Sequence, residues 1–187
     1  ARQDIRYTKE ILDDQKKQLV QQNAESKKQT FESTFFQLVR LFSDITNQID
    51  LQRTENGATI ITKGKDVFPV FLKRLKKTYK PLATALYGGE DFHNAYEEFY
   101  GKHNSELGHY FRTVYNLVKF IDKSDIPQKK FYSNIVRAQL SDAEVALLFH
   151  NGLSKHGREK FKPLMERYGL LKNVNNKDML DAADRKS

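Results

Sequence analysis

The sequence predicts an all-α fold: a long N-terminal helix, its first part a weak coiled-coil arm, leading into a bundle of about five or six shorter helices. Three observations predict it. Apolar residues recur at steps of 3 and 4 through most of the 187-residue chain, the spacing of one helix face. The first 30 residues contain neither Gly nor Pro. Ser141-Asp-Ala-Glu144 has the spacing of a capping box, a local signal for a helix start.

Residues 1–30 form a polar arm rich in Gln, Lys, Glu and Asp, a composition that favours helix. Ile5, Leu12 and Leu19 repeat every 7 residues, while the companion positions hold Thr8, Gln15 and Gln22. Such a seam supports a weak homodimer through this helix, or a solvated stalk. Residues 31–174 form the core domain. Phe31, Phe35, Leu38, Phe42, Ile45 and Ile49 recur at 4, 3, 4, 3 and 4, with Phe36, Val39 and Leu41 widening the stripe. Asn56-Gly57, which favours a tight turn with positive φ, is expected to end this helix. Ala58–Thr62 reads as a short β segment compatible with a small hairpin.

Asp66 is the expected N-cap of the next helix, with Pro69 in its first turn and Phe68, Phe71, Leu72, Leu75 and Tyr79 on its apolar face. Pro81 reads as a stop, and Gly88-Gly89 as a turn. A further helix is expected from Asp91, then a separate amphipathic one. In the latter, Leu107, Phe111, Val114, Val118 and Ile121 line one side, and Pro127 follows its end. Lys129–Leu140 reads as another helix, and Asp142–His150 as the next, terminated by Gly152. The last is capped by Ser154, kinked by Pro163 and closed by Gly169. Residues 175–187 read as a mobile tail.

There are no cysteines, so disulfides, cysteine nucleophiles and thiolate metal sites are excluded. His93, His103, His109, His150 and His156 show no metal-ligand spacing, and no Walker loop, GxSxG or GxGxxG is present. The sequence thus implies no metal and no cofactor. Its apolar runs fall far short of the roughly 20 residues that cross a bilayer. The opening at Ala1 with charged residues suggests a soluble fragment of a longer protein.

The net charge of +8 suits nucleic acid, anionic lipid or an acidic partner. It concentrates at Lys73, Lys76, Lys77 and Lys80, a candidate patch for RNA or an anionic lipid surface, with Tyr79 beside it to stack on a base. A second candidate lies on the polar side of the 107–122 helix, where His109, Arg112 and Asn116 follow one another by single turns. They supply a proton carrier, an anion fork and an amide. With Arg137 and Asn151 they form the catalytic candidates, if the fold brings them together. A solvated helix face explains His109, Arg112 and Asn116 equally. Arg137, inside an apolar helix, also suits pairing with Asp142 or Glu144.

Four segments carry a resemblance to a known family. HYFRTVYNLVKFID, IVRAQLSDAEVALLFHNGLS and GREKFKPLMERYGLL resemble the phage abortive infection protein family of bacteria, and FESTFFQLVRLFSDI (Phe31–Ile45) is similar to its first block. The resemblance spans about residues 30–174. It implies a role in defence against bacteriophage, triggered by a phage component. It also implies membrane spans upstream of this chain, which would place the body at the cytoplasmic face of the inner membrane. The family leaves the chemistry open. A sensor or interaction module is one reading. An RNA-cleaving toxin is the other, although no Arg is followed by a His at the 4-to-6-residue separation of known helical defence ribonucleases.

Overall fold

Without Gly or Pro, nothing between Arg2 and Gln48 interrupts a helix, and α1 (Arg2–Gln48) runs unbroken through arm and core. The computed structural model describes residues 2–55, 57–83, 90–172 and 174. The segment expected to be a tail, residues 175–187, lies outside the described residues, as does Gly88-Gly89. From residue 6 to residue 30 every α1 side chain is exposed. Beyond that the helix enters the core through Phe31, Phe35 and Phe42, as the periodicity requires, while Ile49, also buried, lies just past its end. Phe36 and Leu41, expected to widen the stripe, face outward at 53% and 50% exposure. One helix flank meets the bundle, and a residue one position off that flank turns about 100° away.

The helix ends at Gln48, earlier than the Asn56-Gly57 signal suggested, because the chain crosses into a hairpin. Strands β1 (Asp50–Glu55) and β2 (Ala58–Lys63) pair antiparallel from Asp50↔Lys63 to Glu55↔Ala58, with Gly57 in the turn between them; Asn56 lies outside the described residues. Gly57 has φ 80°, as that loop demands. A 3-10 turn (Gly64–Asp66) leads into α2 (Val67–Ala83). Asp66 therefore closes the 3-10 turn, and α2 continues through Pro81 to Ala83 instead of stopping there.

The two helices expected from Asp91 and around Leu107 are one: α3 (Glu90–Lys123). Gly101 and Gly108 lie inside it, tolerated at a cost of about 1 kcal/mol each relative to Ala. Its face of Leu107, Phe111, Val114, Val118 and Ile121 is buried as expected. The bundle is completed by α4 (Lys129–Ala138), α5 (Asp142–Leu153) and α6 (Lys162–Tyr168). Pro163 sits in the first turn of α6, where a missing N–H costs nothing, so it starts the helix without kinking it. Gly169 closes α6 in the left-handed conformation, φ 63°.

Helix α5 is buried from Glu144 to Gly152 and acts as the central post of the body. Its capping box is present. Ser141 Oγ accepts from Glu144 N, while Glu144 Oε2 accepts from Ser141 N at 2.8 Å and from its hydroxyl at 2.6 Å. The other carboxylate oxygen, Oε1, accepts from the buried Tyr110 hydroxyl at 2.9 Å, joining α5 to α3. Gly152 does not end α5. It lets α6 approach, since a Cβ there would lie 2.6 Å from Met165 Cε. Ser154, expected to cap the last helix, is instead the C-cap of α5.

Two more polar ties close the body. Asp122 Oδ1 at the end of α3 accepts from Arg167 Nη1 at 2.6 Å and from the Tyr168 hydroxyl at 2.9 Å. The Tyr132 hydroxyl of α4 donates to Glu32 of α1 at 2.7 Å, beneath stacked Phe31 and Phe120. Among the described residues no helix is long and apolar enough to cross a membrane.

Candidate functional site

Two places on this body gather functional groups. The first is a groove of about 820 Å³ between α2 and the start of α5. Pro69, Leu72 and Ala143 supply apolar wall, while Lys65, Lys73, Lys76 and Lys77 stand around it with only Asp66 and Asp142 opposing them. Lys73, Lys76 and Lys77 thus keep the relation their spacing predicts. The side chain of Lys80 lies outside the described residues. Tyr79 is only 6% exposed and belongs to the core face, so its ring is not offered to a base as the sequence reading supposed. It follows Leu72 and Leu75 at helix-face spacing, and apolar burial outweighs display beside the lysines.

The second place is built on α3. Tyr96, Tyr100, Asn104, Gly108 and Arg112 each lie one turn after the last, a row that winds gradually around the helix. At Gly108 three polar groups converge. A Cβ there would lie 2.5 Å from Asn104 Oδ1, 3.1 Å from the Tyr100 hydroxyl and 3.2 Å from Arg112 Nη1. The ends of these three side chains therefore close over the buried glycine, leaving no room for an added carbon.

The connection from α5 to α6 lies alongside. Ser154 Oγ donates to Asn151 O at 2.7 Å and accepts from His156 N at 3.2 Å. Gly157 packs so closely on Asn151 that a Cβ would lie 2.5 Å from its carbonyl oxygen. This tight turn sets His156 against α3. Its ring lies 4.3 Å from that of Tyr100, and its Nε2 is 2.8 Å from Glu97 Oε1. Lys155 Nζ reaches the other Glu97 oxygen at 2.9 Å. Beneath, the buried Asn151 Nδ2 donates to the Tyr96 hydroxyl at 3.0 Å.

The electrostatics follow from these contacts. Burial alone would raise the Glu97 carboxyl, but the Lys155 hydrogen bond and the neighbouring His156 bring it below its ordinary value. Burial pushes the Tyr96 and Tyr100 phenols up. Asn151 opposes this at Tyr96, and the Arg112 charge opposes it at Tyr100. Both phenols are neutral donors near pH 7. Among the described residues Arg112 makes no ion pair, and its side chain is exposed.

Of the catalytic candidates, His109, Arg112 and Asn116 are exposed along α3, as their spacing predicts. Asn151 is 3% exposed and holds Tyr96. Arg137 is half-buried and donates to Gly169 O at 3.3 Å, tying α4 to the end of α6 rather than to Asp142 or Glu144. No hydrogen bond or ion pair joins any two of the five among the described residues. The reading missed Glu97, Tyr100, Asn104, Gly108 and His156. A signal was present in the four-residue row ending at Arg112, with a glycine where a helix prefers any other side chain.

A helical bundle carrying these two polar surfaces defines a broad class, and comparison with known proteins narrows it. Residues 102–179 match the family model described as "Putative phage abortive infection protein". That segment, from the middle of α3 onward, connects the chain to phage abortive infection. The block resembling the family at Phe31–Ile45 lies outside the match. No curated protein and no solved structure matches the chain.

Proposed function

We propose that this chain serves phage abortive infection as an interaction module, a sensor that engages a polyanionic partner through the groove between α2 and α5. One observation carries the reading: four lysines gather around a concave apolar floor with two opposing acids. Concavity favours a strand of RNA, which can enter the groove, over a bilayer, which presents a flat surface. The exposed arm of α1 would hold the body off the cytoplasmic face of the inner membrane and pair two chains weakly. A phage component would then act by changing partner binding or pairing. Catalysis by His109, Arg112, Asn116, Arg137 and Asn151 finds less support, because no hydrogen bond or ion pair joins any two of them among the described residues, and Arg137 and Asn151 each tie other parts of the fold.

Fluorescence anisotropy with a short single-stranded RNA, between about 50 and 200 mM salt, tests the groove. Replacing Lys73 and Lys77 by Gln should weaken binding and reduce the salt slope by about 1.4, at roughly 0.7 per lost phosphate contact on a single strand. Unchanged binding in that variant would assign the charge to solubility. Binding to anionic vesicles alone would replace RNA by lipid, and RNA fragments after incubation would favour the cleavage reading.

A further inference from the structure

A second pocket, of about 470 Å³, opens between α2 and α3. Arg74 and Lys77 line it from α2, three residues apart and so on one face. Lys102 and His103 line it from α3, each one turn after Glu98 and the buried Phe99. Glu98 is the one acid on its wall, and Lys102 Nζ already holds that carboxylate at 2.6 Å. Arg74 and Lys77 make no ion pair among the described residues, so two cations border the pocket without a counter-charge from the protein. His103 lies between the rings of Phe71 at 5.0 Å and Phe99 at 5.1 Å. Burial first, then the charges of Arg74 and Lys102, hold its pKa below the ordinary value, against the pull of Glu106. An anion in the pocket would supply the missing negative charge and let the imidazole take up a proton.

These groups suit one ligand chemistry. Arg74 offers a planar fork for two oxygens of one anion, Lys77 a point charge, and His103 a donor that becomes a cation when an anion arrives. Together they match the nearly two charges of a phosphomonoester better than the single charge of an internal phosphodiester. The volume also falls within the several-hundred-Å³ range of small-ligand sites. We propose that this pocket binds a phosphomonoester, as on a mononucleotide or the phosphorylated end of an RNA, through Arg74, Lys77 and His103. Lys77 borders the lysine groove as well, whereas Arg74 and His103 border only this pocket, so the two sites can be tested apart.

The test is NMR titration of the whole chain, following the His103 ring signals across pH. The probes are inorganic phosphate, adenosine monophosphate, adenosine, and a short RNA with and without a terminal phosphate. Adenosine monophosphate should raise the His103 pKa, while adenosine and the unphosphorylated RNA should leave it unmoved. Whichever phosphorylated probe binds tightest identifies the source as free phosphate, nucleotide or RNA end. Arg74→Gln leaves every groove lysine in place and should bind the mononucleotide at least about tenfold more weakly, the loss expected for one charge-assisted bond. Wild-type affinity in that variant, equal affinity for adenosine and its monophosphate, or a His103 pKa that no phosphorylated probe raises would each overturn the proposal. The His103 measurement needs no variant, so it decides the matter even where Arg74→Gln folds poorly.

Discussion

Replacing Tyr110 by Phe removes one oxygen from the centre of the body and nothing else. The ring would still meet Phe68 at 4.7 Å and Phe42 at 5.7 Å between centroids, so packing is retained. What is lost is the 2.9 Å bond to Glu144 Oε1, while Glu144 Oε2 keeps both Ser141 donors. Glu144 is fully buried, so water cannot take over the freed oxygen without opening the core. A hydrogen bond to a charged group contributes about 1.5–3 kcal/mol. For a domain of this size each kcal/mol moves Tm by about 2–4 °C, so a loss near 2 kcal/mol predicts a fall of about 4–8 °C. Tyr132→Phe provides the control. It also deletes a phenol–carboxylate bond, at 2.7 Å, but its acceptor Glu32 has a side chain 36% exposed and can turn to water. That variant should lose about 1 kcal/mol or less. Circular dichroism melts of both proteins decide the matter. If Tyr110→Phe melts within about 1 °C of the wild type, or no lower than Tyr132→Phe, the buried tie does not hold α5 as argued.

Two further outcomes are expected. Stability should decline as pH falls below about 6.5, because His103 lies against Phe71 and Phe99, and burial, then the charges of Arg74 and Lys102, push its pKa down in spite of Glu106. A depressed pKa stabilises fully above the unfolded value and progressively less below it, so His103→Gln should flatten urea midpoints measured between pH 7.5 and 5.5. Leu12→Lys with Leu19→Lys, on the exposed arm, should reduce any dimer seen by sedimentation while leaving the melt unchanged. A dimer of equal strength in that variant would move the contact off the arm.

What the sequence made legible is what local physics decides. The Phe31–Ile49 periodicity, the Ser141–Glu144 box and the Gly169 stop each depend on residues within a few turns of one another, and each is present in the fold. The continuity of α3 was not legible. The sequence reading divides it into a helix from Asp91 and a separate amphipathic one, and only the bundle packed along the whole helix shows why it passes unbroken through Gly101 and Gly108. Tyr79 was assigned two roles at once, and burial selected one. The polar cluster on α3 was half legible: Arg112 stood out on its helix, but Glu97 and His156 lie far apart in the chain. They meet only because Gly157 closes onto Asn151 and turns the connection back toward α3. Contacts of that kind leave no periodic trace.

The extent of the family match bears on which polar surface the proposed role draws on. Residues 102–179 contain Asn104, Gly108, Arg112 and His156, with Tyr100 and Glu97 just upstream. The same segment includes Ser141, Asp142 and Ala143 at the end of the lysine groove, whereas Lys65, Lys73, Lys76 and Lys77 all lie before it. The polar cluster of α3 and the α5–α6 connection draws on the matched segment through Asn104, Arg112 and His156. The groove draws on it only for one wall. Helix α5 is pinned by Glu144 at one end and by the Asn151–Tyr96 bond at the other, and its start, Ser141 to Ala143, is one wall of the lysine groove. Tyr110 itself packs on Phe68 of α2 at 4.7 Å. Loosening the Tyr110–Glu144 tie should therefore disturb the groove, so Tyr110→Phe is expected to weaken RNA binding there as well as to lower Tm.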